Sequence, residues 1–409
     1  MRTVDVVVVG AGPAGAAAAT TLARAGVDTL VVDKATFPRD KICGDGLTTG
    51  ALRLLDGLGL ELDGMASWQE VEDCWIRSPT GVSRRFPMPR GQGAFAAVVP
   101  RTELDAAVID LARKAGAEVL EGHGVVGAHE DGDGIEVDVA GLGVVRARFA
   151  VAADGMWSPM RKHLGLAQPG YRGEWHAFRQ YASNVSAEAA RDLFVLFEPD
   201  LLPGYYWSFP LPDGRANIGF GIQRGGKVEV GDMKAVWADL LSRTHIAELL
   251  GPDAVLDGTV KAWPIPARID DISTSSARTM FVGDAAAACD PLTGEGIGQA
   301  LLTGIRAAEA IIGGSRTGAR PVAAATVTDG YDSAVRRDLV ADHKMSMLLV
   351  RALQHRKGAR TAVRVAGLTP WTRRNFARWL FEDYPRAVIV TPRRWHRKLF
   401  TGPGAFRTH

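Results

Sequence analysis

One stretch near the amino terminus limits the choice of fold more than any other. Residues 4–9 read Val4-Asp5-Val6-Val7-Val8-Val9, a short β-branched run without regular polar alternation. Such a run suits a strand buried on both faces, as in a parallel sheet. It leads directly into Gly10-x-Gly12-x-x-Gly15, followed by an alanine-rich helix over residues 14–25 and a second apolar strand ending at Asp33-Lys34. In a strand–turn–helix of this kind the first glycine permits the tight turn. The second lets backbone approach a pyrophosphate, and the third lets helix and strand pack closely. Pro13 and Ala14 open a helix whose N–H groups and dipole face the phosphates. Asp33, eighteen residues after Gly15, stands where a carboxylate takes a ribose hydroxyl.

Composition adds bounds. A 409-residue chain has room for two or three domains, and 46% apolar with 23% charged residues is ordinary for a globular protein. Three scattered cysteines, Cys43, Cys74 and Cys289, fit neither a disulfide framework nor a metal site, so no metal and a reducing, cytoplasmic setting are expected. The first strand begins within a few residues of Met1, so no signal peptide is expected, and no apolar window is long enough to span a bilayer. The net charge of +2 conceals an asymmetry. Residues 331–409 hold 17 Lys+Arg against 5 Asp+Glu, which leaves 31 against 41 for the preceding 330 residues. The carboxyl-terminal fifth is a basic module on an acidic body.

Further along the chain, Phe37-Pro38-Arg39-Asp40-Lys41-Ile42-Cys43-Gly44-Asp45-Gly46-Leu47 forms a polar loop ahead of a helix near Thr49–Leu58. Gly44 and Gly46 carry no side chain to hold a planar ligand away. Residues 70–99 alternate weakly between turns and read as strands of a second, antiparallel layer. Arg101 stands at the start of a helix, either near a ligand or simply solvated. Residues 117–152 read as strand, hairpin and a buried strand that delivers Asp154-Gly155, either a ligand group at the strand's carboxyl end or the cap of the next helix. Tyr205, Trp207 and Phe209 alternate along one strand and so share a face, which forms either sheet core or the wall of an apolar pocket. A second strand–turn–helix spans residues 278–312. Gly283-Asp284 ends its strand, where the acid can take a sugar or ribityl hydroxyl. The run Pro291-Leu292-Thr293-Gly294-Glu295-Gly296-Ile297-Gly298 then opens a helix whose amino end can stabilise negative charge. From Asp329 the pattern is helical, with Leu339, His343, Met347 and Val350 in near-heptad spacing. The tail interleaves Trp371, Trp379, Trp395 and Phe400 with arginines, a mixture suited to an anionic membrane surface. No nucleic-acid recognition motif accompanies this charge, so nucleic acid is not the expected partner.

The three spaced signals, Gly10-x-Gly12-x-x-Gly15 with Asp33, Asp154-Gly155, and Gly283-Asp284 with Pro291 to Gly298, resemble the para-hydroxybenzoate hydroxylase superfamily of FAD proteins. Within it, the loop around Cys43-Gly44 and the strand Tyr205-Tyr206-Trp207-Ser208-Phe209-Pro210 resemble the geranylgeranyl reductase family over roughly residues 1–312. The resemblance implies an α/β fold with a discontinuous Rossmann-like FAD-binding domain over residues 1–69, 100–165 and 276–328. An inserted antiparallel sheet domain over 70–99 and 166–275 would bind substrate, and 329–409 would be a basic helical region. It places Arg101 beside FAD, Cys43 and Gly44 near the isoalloxazine, and a prenyl chain against Tyr205, Trp207 and Phe209. The implied reaction reduces isolated C=C bonds of an isoprenoid lipid, with NADPH or another reductant as electron source. Cys43, Tyr205 or a water would supply the proton. The rival reading is a hydroxylase or halogenase of the same fold. Halogenases carry Trp-x-Trp-x-Ile-Pro, where this chain has Tyr205 and Phe209 in place of the first Trp and the Ile.

Overall fold

A computed structural model describes residues 1–315, 323–395 and 401–407. The first strand, Arg2–Val9, lies in the middle of a seven-stranded sheet. It pairs in parallel with Thr29–Asp33 on one side and Gly143–Ala152 on the other. Thr279–Phe281 adds in parallel to Gly143–Ala152, so all three strands that carry the cofactor signals run side by side and end together. An antiparallel hairpin, Val125–Glu130 with Ile135–Val139, extends the edge through the turn at residues 131–134. The valines of the central strands Arg2–Val9 and Thr29–Asp33 are buried, because the helices Pro13–Arg24, Arg101–Lys114 and Ile297–Ser315 pack on this sheet.

A second seven-stranded sheet is antiparallel except at one junction. Its order is Val255–Ile265, Trp175–Ser183, Arg215–Gln223, Tyr206–Leu211, Leu193–Leu196, Asp73–Arg77 and Ser83–Pro87. Leu193–Leu196 runs parallel to Asp73–Arg77, which reaches it from more than a hundred residues earlier. Helices Met233–Ser242 and Thr244–Leu250 cover one face, where Tyr206, Phe220 and Trp237 stack with ring centroids 5.9–6.3 Å apart. The opposite face carries Trp207 and Phe209. A small three-stranded sheet ties Gly46–Thr48 and Gln69–Glu70 to Ala96–Val98.

The carboxyl-terminal region is helical. Ala324–Val335 runs through a π-helical turn into Ala341–Leu353, followed by Arg356–Ala366 and Pro370–Leu380. Leu339, His343 and Val350 are buried and Met347 partly so, as their spacing predicts. The basic tail is not uniformly exposed: Arg378 and Arg386 are buried against Asp383 and against Asp290 and Glu382. His396, Arg397, Lys398, Leu399 and Phe400 of the expected membrane-facing tail lie outside the described residues. Among those described, no helix is long and apolar enough to cross a membrane.

Candidate functional site

The glycine turn at the amino end depends on missing side chains. Gly10 adopts a φ of +103°, and a Cβ there would lie 2.3 Å from the Ala153 carbonyl oxygen. A Cβ on Gly15 would lie 1.8 Å from the carbonyl of Gly10. Gly15 therefore closes the turn, while Gly10, Gly12, Pro13 and Ala14 line a cavity of ≈ 810 Å³. Gly12 caps the helix without a side chain, so the first-turn N–H groups are left open toward that cavity. Asp33 braces the turn, accepting from Ala11 N–H at 2.7 Å and Ala35 N–H at 2.8 Å, and lines the cavity with Lys34.

Asp154 caps the next helix and also lines the cavity. One carboxylate oxygen accepts from Met160 N–H at 2.8 Å and caps the next helix, while the other is buried without a hydrogen-bond partner. Burial raises the pKa of this carboxyl, opposed by the Met160 N–H bond. Gly155 and Gly283 line the same space, and Asp284 lies 3.7 Å from the Lys41 ammonium, which sits 4.0 Å over the Trp263 ring. Burial lowers the Lys41 pKa, partly offset by Asp284. Arg101 is buried rather than solvated, doubly bonded to Asp105 at 2.6 and 2.8 Å, and Arg39 pairs with the same carboxylate at 3.0 Å. These features fit a dinucleotide: an uncapped helix terminus, an orphaned carboxylate oxygen and fixed guanidinium groups along one cleft.

The other end of the cavity is aromatic. Trp207 lies 6.3 Å from Tyr205 and 6.2 Å from Phe209 between ring centroids, and Phe197 continues the row 6.0 Å from Tyr205. The Trp207 indole packs flat enough on its neighbouring strand that a Cβ on Gly219 would come within 2.3 Å of the ring. Its Nε1–H donates to Asn217 Oδ1 at 3.1 Å. The Asn217 amide in turn donates to the Cys43 carbonyl at 2.9 Å and to Asp45 Oδ2 at 2.8 Å, and Tyr181 O–H donates to the same Asp45 oxygen at 2.7 Å. Asp45, in a left-handed conformation with φ 63°, thus fastens the Cys43–Gly46 loop to the aromatic sheet. Burial pushes its pKa from 3.8 to about 6, against the opposing pull of Tyr181, Arg179 and Asn217. The Phe209 ring edge packs beside Gly44 and Gly46, where a Cβ would lie 3.2 Å away. Burial raises the Cys43 thiol, with Arg101 pulling the other way, so Cys43 holds its proton.

Tyr205 donates its hydroxyl to the Thr293 carbonyl, and the loop carrying Pro291, Gly294, Gly296 and Ile297 closes this side of the cavity. Beneath it lies a buried charge cluster that sequence reading missed. Arg386 reaches back from the carboxyl-terminal region to Asp290 at 3.2 Å and Glu382 at 3.3 Å, and Glu382 also accepts from Gln299 at 3.1 Å. Glu295 accepts from Gly298 N–H at 2.6 Å, so the protein's own carboxylate occupies the helix amino end expected to face a ligand's negative charge. Burial opposes ionisation of Asp290, but Arg386, Ser346 and Thr293 hold its pKa below the usual range. Burial pushes Glu382 up to about 8, opposed by Arg386 and reinforced by Glu295.

Of the individual residues expected to hold the cofactor or the prenyl chain, all but Gly15 line this one cavity. Asn217, Tyr181, Asp105 and Arg386 were missed. A polar residue in an apolar strand flags the first, an (i, i+4) acid after Arg101 the third. Arg386 gives no local signal. The carboxyl-terminal helices were not expected in the site, yet Leu353, Val363, Phe376 and Leu380 line its aromatic end.

Comparison with known proteins agrees with this geometry. Residues 3–311 match the family described as FAD binding domain. A menaquinone reductase of Mycolicibacterium smegmatis is 37% identical over 336 residues, covering 76% of this chain and 77% of that one. Digeranylgeranylglycerophospholipid reductase 2 of Methanopyrus kandleri is 33% identical over 313 residues, covering 75% and 76%. Among solved structures, a geranylgeranyl bacteriochlorophyll reductase-like protein of Thermoplasma acidophilum superposes with a TM-score of 0.80 at 22% identity, covering 97% of this chain and 100% of that one, a likeness of fold. The chain belongs to the FAD-binding flavoproteins and, among them, to the geranylgeranyl reductase family.

Proposed function

We propose that this flavoenzyme saturates isolated C=C bonds in the isoprenoid chain of a lipid, such as a geranylgeranyl group or a menaquinone side chain. The observation that carries the reading is one cavity with a dinucleotide cradle at one end and the Tyr205–Trp207–Phe209 wall at the other, joined at the Cys43–Gly46 loop. The relatives named as menaquinone reductase and digeranylgeranylglycerophospholipid reductase support the same class of substrate.

A trialkyl alkene offers no carbonyl to polarise, so the protein acts by orientation, by exclusion of water and by keeping one proton at hand. FAD, when bound and reduced, supplies hydride to one alkene carbon. The glycine turn, Asp33, Asp154, Arg101 and Asp284 hold the dinucleotide and sugar parts. Gly44, Gly46 and Ile297 leave room for a flat ring. Trp207 and Phe209 lay the chain along the wall, and Tyr205, anchored on Thr293, fixes its end. Cys43 holds the proton for the second alkene carbon, since burial keeps its thiol neutral. NADPH, or another reductant, would supply the electrons, and the basic carboxyl-terminal region gives the enzyme a peripheral contact with the membrane.

Anaerobic incubation of dithionite-reduced protein with geranylgeranyl lipids and menaquinones, followed by mass spectrometry, tests the reading. Product gaining two hydrogens per turnover is expected. Unchanged lipids in every case refute it.

A further inference from the structure

The three carboxyl-terminal helices are two-sided. Inward, Leu353, Val363, Phe376 and Leu380 line the aromatic end of the cavity. Outward, the large apolar side chains of Leu348, Val365, Leu368 and Trp371 are 53–65% exposed. The two sides meet at Ala352 and Ala362, which are exposed to solvent and also line the cavity, so the cavity reaches the surface between Ala341–Leu353 and Arg356–Ala366. Leu348 lies one turn from Ala352 and Val365 one turn from Ala362, so these two apolar groups share the helix faces that carry this opening.

Charge marks the same surface. Between His343 and Phe381 there is no Asp or Glu, whereas nine Lys and Arg occur. Arg351, Arg356, Lys357, Arg360, Arg364 and Arg374 are exposed and form no ion pair among the described residues. In Arg356–Ala366 the buried positions Ala359, Val363 and Ala366 hold the helix down and turn its cations outward. Apolar side chains ringed by uncompensated cations complement a surface that is negative outside and apolar beneath, which is an anionic bilayer. A folded polyanion would match the cations but not Leu368 and Trp371.

We propose that the outer face of residues 344–374 docks on an anionic bilayer and that the opening between Ala352 and Ala362 is the portal through which a lipid chain passes from the bilayer into the cavity. The portal half of this proposal rests on the isoprenoid reading above; the docking half specifies the membrane contact proposed there and stands without an isoprenoid substrate. A bilayer seated on these helices lies about one helix diameter, ~10 Å, from the cavity. The substrate then keeps its head group in the membrane and threads only its chain.

Sedimentation of the full-length, FAD-loaded protein with phosphatidylcholine vesicles, with and without phosphatidylglycerol, tests the docking. Binding is expected only with phosphatidylglycerol and is weakened by salt. Arg360→Gln with Arg364→Gln weakens it by about fivefold per cation removed, and Leu368→Asp with Trp371→Asp abolishes it, both with unchanged flavin absorbance and circular dichroism. Wild-type protein that ignores anionic vesicles overturns the proposal. So does duplex DNA binding with the same cation dependence but untouched by the Leu368 and Trp371 changes, combined with vesicle binding equally untouched. For the portal, both double variants are expected to lose turnover of menaquinone held in vesicles and to keep turnover of detergent-dispersed menaquinone. Equal loss in both, or loss in neither, refutes the portal. Wild-type protein that binds vesicles but reduces neither preparation refutes the substrate reading and leaves the docking surface standing.

Discussion

Asp45 is the most informative single residue to perturb, because its charge is costly and its bonds join two parts of the molecule. Its carboxyl is wholly buried, accepts from Tyr181 and Asn217 on one oxygen, and leaves the other without a partner. The pKa rises from 3.8 to about 6 on folding. The folded state therefore binds more protons than the unfolded state between these values, so this group favours folding fully below pH 3.8. That contribution is lost as pH rises through about 6. At 1.36 kcal/mol per pKa unit the loss amounts to ~3 kcal/mol. Asp45→Asn keeps the shape, tolerates the left-handed backbone and offers an oxygen to Tyr181 and Asn217, but does not titrate. Urea unfolding at fixed saturating FAD, from pH 4 to pH 8, is the assay. The difference between variant and wild type should move in favour of the variant by ~2.5 kcal/mol across this range, the rest of the loss lying below pH 4. Parallel stability curves would show that Asp45 is not held in a charge-hostile site and would refute the argument.

Other perturbations test the remaining parts. Trp207→Ala is expected to cost ~3 kcal/mol or more of stability, leaving Asn217 Oδ1 unpaired, and to abolish prenyl turnover while FAD absorbance is retained. Loss of FAD would instead make the strand a core element. Gly219→Ala places a Cβ 2.3 Å from the Trp207 ring and 2.2 Å from the Phe178 carbonyl, so tryptophan fluorescence should shift and stability fall by ~1–3 kcal/mol. Glu382, raised to about 8, favours folding below 4.5 and loses that contribution as pH rises through about 8. Glu382→Gln should accordingly raise the urea midpoint at pH 9 relative to pH 5. An unchanged difference between these pH values would sink that assignment.

Much of the cofactor half was legible because its information is local. Gly10, Gly12, Gly15 and Asp33 lie within one strand–turn–helix–strand unit, and period-two alternation alone places Tyr205, Trp207 and Phe209 together. Which face of that strand meets solvent-sized space was not legible. Tyr206 on the other face is as aromatic, and only the arrival of the helix carrying Trp237 makes that side core. Pairing of Leu193–Leu196 with Asp73–Arg77 has no local trace either. Net charge was a poor guide to the tail, since a count cannot tell Arg364, which faces outward, from Arg386, which is turned into a carboxylate cluster.

The reach of Arg386 to Asp290 has a consequence for how this protein can be divided. Homology ends the FAD-binding segment at residue 311, but the loop beneath Tyr205 holds its buried acid ionised with the help of a guanidinium supplied 96 positions downstream. A fragment cut at that homology limit would retain every glycine of the nucleotide cradle and lose the counter-ion on its floor. During synthesis, too, the pocket cannot be completed until residue 386 has left the ribosome.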